Sequence, residues 1–368
     1  MSIMGWLNNR QEAESMLVKR KNICALTLIS FFICSTVGVS GSFAGAQKKD
    51  KSDKSNKEKK EEKKEKKDGK DSAAAAEAHA VLWQEPTDIE SRDLFNGPGG
   101  AEGAPDPKGR FTFIERVKTG TSEKIHVDDD RGRKWQVKFG AEAKPAPAAA
   151  RIVWAVGYHV DTDYFVKRTH IEGRGGFDVW DVRFKRRDDG FKELKEAGTW
   201  SWHSNPFTGT RELQGLKVLM ALLNNWDLKD SNNKITQPSK KSGGDRSETI
   251  YYVSDLGATF GKTGSPFRKI PGFQTAPAGT KGQAGPYSDQ VFITKVSNGQ
   301  VLFNYKGKDP KVLEGITVEN ARWMGNLMGR LSDKQLSDAF RAGGFSDQEV
   351  TTFVRAVRAR INELKNLK

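Results

Sequence analysis

Four positions in this chain pair a chemically useful side chain with a place that could hold it still. Lys138 ends the alternating segment "KWQVKFG". An ammonium on a strand can point into a cleft and pair with phosphate oxygens. Asp227 and Asn232 stand in "NNWDLKDSNN", directly after the most apolar helical stretch of the chain. A carboxylate fixed at a helix end can accept a hydroxyl proton, and an Asn amide oxygen can ligate Mg2+. Asp255 follows the apolar run "IYYV" and stands two residues before Gly257. A carboxylate there suits a divalent cation, and the Gly lets the backbone turn sharply. Taken singly, each position is also ordinary: edge strands carry lysines, and Asp230, Ser231 and Asn233 are equally polar.

The elements that must position these residues are written in the hydrophobic pattern. "RFTFIERVKTGTSEKIHVDDDRGRKWQVKFG" alternates in pieces around turn signals, which predicts strands near 111–118, 123–128 and 133–139. "AAARIVWAVGY" carries its apolar residues on one helical face, which predicts a helix over 147–157 after the prolines at 145 and 147. "DYFVKRTHIEG" and "FDVWDVRFKRR" read as further strands. Residues 210–225 form the apolar helix, with Thr210 as its N-cap or in its first turn. "ETIYYV" is a short strand running into Asp255, and Asn298-Gly299 sits at the turn of a hairpin. The last sixty residues read as helices, with capping boxes at Ser332/Gln335 and Ser346/Glu349. In the final helix Val350, Phe353, Val354, Val357, Ile361 and Leu364 make one core stripe. Strands first, then a helix, more strands and a helical second half predict a single α+β domain over 81–368 with two lobes, the first strand-rich and the second helix-rich.

Taken in order, the polar positions resemble the motif set of the protein kinases. "NWDLKDSN" is similar to the catalytic-loop pattern His-Arg-Asp-Leu-Lys-x-x-Asn, with Asn224 or Asn225 and Trp226 in place of His-Arg. "VSDLG" resembles the Asp-Phe-Gly segment, and "WQVKFG" the Val-Ala-Ile-Lys strand. The resemblance covers about 110–260 and implies a kinase-like phosphotransferase using ATP and Mg2+. On it Lys138 would hold nucleotide phosphates, Asp227 would position or deprotonate the acceptor, Asn232 and Asp255 would bind Mg2+, and Lys229 would stabilise transferred charge. The chain departs from the pattern in several places. Gly120 alone stands where a Gly-rich loop would be, the predicted helix 147–157 holds no Glu, and no Ala-Pro-Glu segment follows. Glu142 lies just before that helix and Glu212 starts the later one, and which Glu pairs with Lys138 stays open. These departures place the resemblance nearer the atypical kinases or inactive relatives. A second resemblance, to a group of secreted bacterial proteins carrying "LLNNWDLKD" and "SDLGA" segments, implies export and no particular activity. The alternative expectation is a non-catalytic envelope protein with a degenerate kinase-like fold that binds a polyanion or a partner.

Composition bounds these readings. Of the net charge of +14, +2 falls on residues 1–47 and +5 on the Lys/Glu tract 48–70, which leaves +7 for residues 71–368. Basic residues there are interleaved with Asp and Glu, so a solvated mixed surface is expected and no nucleic-acid partner. Both cysteines, Cys24 and Cys34, lie in the N-terminal apolar stretch, which excludes disulfides and thiolate metal sites from the rest. The histidines at 79, 126, 159, 170 and 203 form no pair at ligand spacing.

"KRKNICALTLISFFICSTVGVSGSFAGAQ" has a basic region, an apolar core and the small-residue pattern Ala44-Gly45-Ala46 before Gln47. It predicts a signal peptide over 1–46 and an exported protein. The twelve lysines of 48–70 argue for the alternative, an uncleaved anchor with the domain in the cytoplasm. Residues 47–80 have almost no large apolar side chain and read as a disordered spacer, whose functional reading is a tether to an anionic envelope surface.

Overall fold

Alternation in the first half of the domain closes into a five-stranded barrel. The computed structural model describes residues 79–117, 123–187, 194–238, 248–263 and 279–368. The predicted signal segment, the spacer up to residue 78 and the loop with Gly120 lie outside the described residues. The barrel strands are β2 (Phe111–Val117), β3 (Lys124–Asp129), β4 (Lys134–Lys138), β5 (Asp163–Glu172) and β6 (Phe177–Arg186). Their order is β2-β3-β4-β6-β5, and parallel pairing of Phe111 with Ile171 closes the ring. Period-two alternation sends Ile125, Val127, Trp135, Val137, Val182 and Phe184 into a core that the barrel keeps to itself.

Register decides what shares the outer face. Lys124 stands opposite Lys138, and Lys138 opposite Arg183, while their neighbours Ile125, Val137 and Phe184 form the matching inward row. The turn between β3 and β4 is fixed by Asp129. Its carboxylate accepts from the backbone N–H groups of Arg131 and Arg133, from Arg133 Nε at 2.6 Å and from Trp135 Nε1 at 3.0 Å.

A second sheet has the order β1-β9-β8-β7, formed by β1 (His79–Val81), β7 (Leu194–Gly198), β8 (Asn233–Pro238) and β9 (Glu248–Val253). The sequence pattern predicted only β9. β8 is polar, and β1 begins inside the stretch read as spacer, where a parallel partner far along the chain, Glu248–Ile250, recruits it. The helices are α1 (Gly100–Gly103), α2 (Pro145–Ala155), α3 (Arg211–Leu222), α4 (Ala284–Ser288), α5 (Val318–Gly329), α6 (Asp333–Ala342) and α7 (Asp347–Lys365). The hairpin β10 (Ile293–Ser297) and β11 (Gln300–Phe303) turns at Asn298-Gly299, both at positive φ as the predicted turn requires. α2 starts and ends two residues before the predicted 147–157, because Pro145 is pre-set for a first helical position.

The main core joins α2, α3, α5, α6 and α7 to the second sheet. Both predicted capping boxes form, and Val350, Phe353, Val357, Ile361 and Leu364 of α7 are buried as the stripe requires. Arg360, also on α7, is 4 % exposed. It donates to the carbonyls of Leu222 at 2.7 Å and Tyr287 at 3.0 Å, so the C-terminal end of α3 is tied to the core. Among the described residues no helix is long and apolar enough to cross a membrane.

Candidate functional site

The segment after α3 is held by backbone bonds on both sides. Asn224 takes a left-handed conformation, φ 49°, which Asn tolerates better than most side chains. Its amide donates to Gly261 O and Gln290 Oε1, while Trp226 N–H reaches Ala258 O at 3.1 Å. The paired asparagines of "NNW" thus end the helix and aim the chain at Asp227. Farther on, the short 3-10 turn Asp230–Asn232 is braced by Trp200 and Trp202. Trp202 N–H donates to Asp230 Oδ1, and Asn233 Nδ2 donates to the Trp200 carbonyl.

Asp227 is partly buried, and its carboxylate meets Lys229 and Lys308, each at 3.0 Å. Burial works to raise this carboxyl, but the two ammonium groups outweigh it and hold the group below the usual Asp range. Asn232 Nδ2 donates to the Asp227 carbonyl at 2.8 Å and toward its carboxylate at 3.4 Å. With its nitrogen so used, the Asn232 amide oxygen is the atom left to serve as an acceptor or ligand.

Asp255 sits at the end of β9 with φ 54°, a left-handed conformation for a non-glycine residue. Two contacts hold it there. Ser254 N–H donates to the Asn232 carbonyl at 2.8 Å, which joins this segment to the Asp227 loop, and Asp255 N–H donates to Asp161 Oδ2 at 3.2 Å. The same Asp161 oxygen accepts from Ser254 Oγ at 2.6 Å and Lys185 Nζ at 2.7 Å. The side chain of Asp255 remains 37 % exposed. It meets Lys138 Nζ at 3.1 Å and Arg183 Nη1 at 3.5 Å. Burial opposes its ionisation, yet Arg183 and Lys138 hold it far below the usual carboxylate range.

Gly257 turned out to serve a purpose other than a sharp turn. Its φ is not positive, but a Cβ placed there would stand 2.6 Å from Glu142 Cβ. The glycine is a close-approach position that lets the Asp255 strand end lie against Glu142.

Glu142 is the carboxylate that pairs with Lys138; its other oxygen meets Lys281. Burial pushes the Glu142 carboxyl up, and Lys138 and Lys281 bring it below its ordinary value. Glu212, the other carboxylate weighed, pairs with Arg211 at 3.3 Å. Lys138 therefore bridges a glutamate four residues along the chain and an aspartate 117 residues away.

Sequence reasoning missed the layer beneath. Arg183 and Asp163 are 2 % exposed and meet at 3.6 Å, and Lys185 pairs with Asp161. A signal was present: Arg183 and Lys185 are two apart in an alternating strand, so they share one face. Lys308, from a loop remote in sequence, gave none.

An ionised carboxylate and a paired ammonium meet at Asp255 and Lys138, and Asn232 lies on the segment whose backbone is bonded to Ser254. Asp255 and Asn232 are hard oxygen donors of the kind Mg2+ takes. Among the described residues no group of three or more His, Cys, Asp or Glu is gathered for a metal.

No protein-family model matches the chain, and no curated protein matches it. Among solved structures it is similar to CtkA, a proinflammatory kinase of Helicobacter pylori, with a TM-score of 0.37 and 12 % identity. That match covers 71 % of this chain and 95 % of the other, a distant likeness.

Proposed function

We propose that this protein is a phosphotransferase with a kinase-like, two-lobed domain, the barrel as one lobe and the helix-rich part as the other. The observation that carries this reading is the double pairing of Lys138, to Glu142 and to Asp255. An ammonium clamped between two carboxylates is oriented and charged, and it has a third donor to give to a phosphate oxygen. Phosphoryl transfer needs little from the protein beyond such positioning and charge stabilisation.

The other roles follow from the geometry. Lys138 takes a nucleotide phosphate, and Glu142 holds the lysine in place. Asn232 and Asp255 would hold Mg2+, which neutralises phosphate charge when bound. Asp227, kept ionised by Lys229 and Lys308, is a weak base and orients the acceptor hydroxyl more than it deprotonates it. Lys229 lies beside it, ready to meet charge on the transferred group. The nucleotide is ATP, and the acceptor is a protein or small-molecule hydroxyl. The apolar segment 23–39 and Ala44-Gly45-Ala46 support export to the cell envelope, with the Lys-rich tract resting on an anionic surface. N-terminal sequencing of the exported protein should then begin near Gln47; recovery of a chain that retains Cys24 would count against cleavage.

The activity is tested by incubating the protein with labelled ATP and Mg2+ and following label into protein or water. Asp227→Ala should reduce turnover by about 100-fold or more. Turnover equal to wild type in Asp227→Ala, or none in wild type, would leave the domain as a binding scaffold.

A further inference from the structure

The barrel register builds a row of cations that the proposed roles do not use up. Lys124 on β3 is opposite Lys138 on β4, which is opposite Arg183 on β6. Directly opposed residues in antiparallel strands share a face, with Cβ atoms about 5 Å apart. Like charges so placed repel unless an anion lies between them.

Two members of the row are neutralised within the protein. Lys138 has Glu142 and Asp255, and Arg183 has Asp163 at 3.6 Å and Asp255 at 3.5 Å. Among the described residues the Lys124 side chain makes no ion pair and no hydrogen bond. The nearest acid in sequence, Glu123, is taken by Arg116 at 3.0 Å. Lys124 is only partly exposed, so water screens it incompletely. Burial and then the charges of Lys138, Arg183 and Lys185 hold its ammonium below the ordinary Lys value, with Asp255 opposing. The row is short of an anion at its Lys124 end.

We propose that Lys124 and Lys138 together form a subsite for a polyphosphate chain, each lysine taking a different phosphate group. The proposal rests on the phosphotransferase reading and deepens it: the substrate carries at least two linked phosphates. A diphosphate or triphosphate laid along the row supplies the missing anion and relieves the repulsion between the two lysines.

The test is competitive labelling of amines, with Lys124 followed by peptide mass spectrometry, alongside thermal melting. The probes are MgATP, tripolyphosphate and adenosine. Protection of Lys124 by MgATP and by tripolyphosphate, with none from adenosine, supports the subsite. Protection by tripolyphosphate alone supports the subsite while sinking the nucleotide reading. A melting shift with MgATP and unchanged labelling of Lys124 overturns the subsite and spares the nucleotide reading. No protection by any probe overturns it as well. Lys124→Gln should weaken MgATP binding about tenfold, the worth of one charge-assisted hydrogen bond, and Lys124→Arg should restore most of it. Without ligand, Lys124→Gln should melt no lower than wild type, because it removes a repulsion; a lower melting point together with unchanged MgATP affinity makes Lys124 a structural residue.

Discussion

The outer face of the barrel and the loop that follows α3 are linked through Asp255, whose neighbour Ser254 donates to the Asn232 carbonyl, and they hold their charges in opposite ways. On the barrel, Lys138, Arg183 and Lys185 sit on strands whose register is set by an inward row of Ile125, Val137 and Phe184. Lys138 and Arg183 are buried and Lys185 is partly buried, and acids from other elements neutralise them. In the loop, Asp227 and Asn232 are fixed by backbone bonds and short side-chain bonds, and the lysines around them, Lys229 and Lys308, are 42 % and 62 % exposed. A buried charge that loses its partner is expensive, whereas a half-exposed pair contributes little. The barrel face should therefore be rigid and indispensable to folding, and the loop dispensable to folding and indispensable to chemistry.

The sharpest way to break that contrast is Arg183→Met. It leaves Asp163 buried without its cation and removes one of the charges that keep Asp255 ionised. A loss of about 3 kcal/mol or more is expected in urea denaturation. A loss under about 1 kcal/mol would show that water reaches this layer.

Gly257→Ala should cost roughly 1–3 kcal/mol, because its new Cβ meets Glu142. Pairing it with Glu142→Gly, which removes the Cβ that the new methyl meets, in a double-mutant cycle should recover most of that cost if the contact is its cause. Additive losses would place the cause elsewhere.

Asp227→Ala should change stability by at most about 1 kcal/mol, since its ion pairs involve exposed lysines. A loss comparable to that of Arg183→Met would mean that Asp227 braces the loop, and the contrast between the regions would fall.

The smallest expected effect is a pH dependence from one turn of the barrel. Burial opposes ionisation of Asp129, but Trp135 and Arg133 hold its carboxyl below the ordinary value. A depressed carboxylate contributes stability above the unfolded value, about 3.9, and loses it as pH falls through the lower folded value. Asp129→Asn should therefore flatten the acid limb of a stability-against-pH curve below about pH 4. An unchanged limb would move that contribution to other carboxylates.

What the sequence made legible follows the same division. The loop positions were visible because they are local: Asp227 and Asn232 sit five residues apart after an apolar helix, and Asp255 ends an apolar strand. The capping boxes, the Asn298-Gly299 hairpin and the stripe of α7 were visible for the same reason. Arg183, Asp161 and Lys281 were not, because their importance comes from strand register and from contacts across tens to more than a hundred residues. The choice between Glu142 and Glu212 as partner of Lys138 stayed open until α2 and the Asp255 segment were seen to close on Glu142. β1 and β8 were hidden because neither has an apolar alternation; pairing with β9 makes them strands. Gly257 was visible as a residue and misread in cause, since close approach leaves no mark in a one-dimensional pattern.

We propose above all that the paired Lys138 receives a nucleotide's phosphates and that Asp255 would hold the Mg2+ that accompanies them. Calorimetric titration of MgATP into the wild-type protein and into the Lys138→Met, Asp255→Ala and Asp227→Ala variants tests it most directly. One binding site in wild type, lost in Lys138→Met and Asp255→Ala and kept in Asp227→Ala, is the expected result. No heat of binding in wild type, or equal affinity in wild type and Lys138→Met, would contradict it.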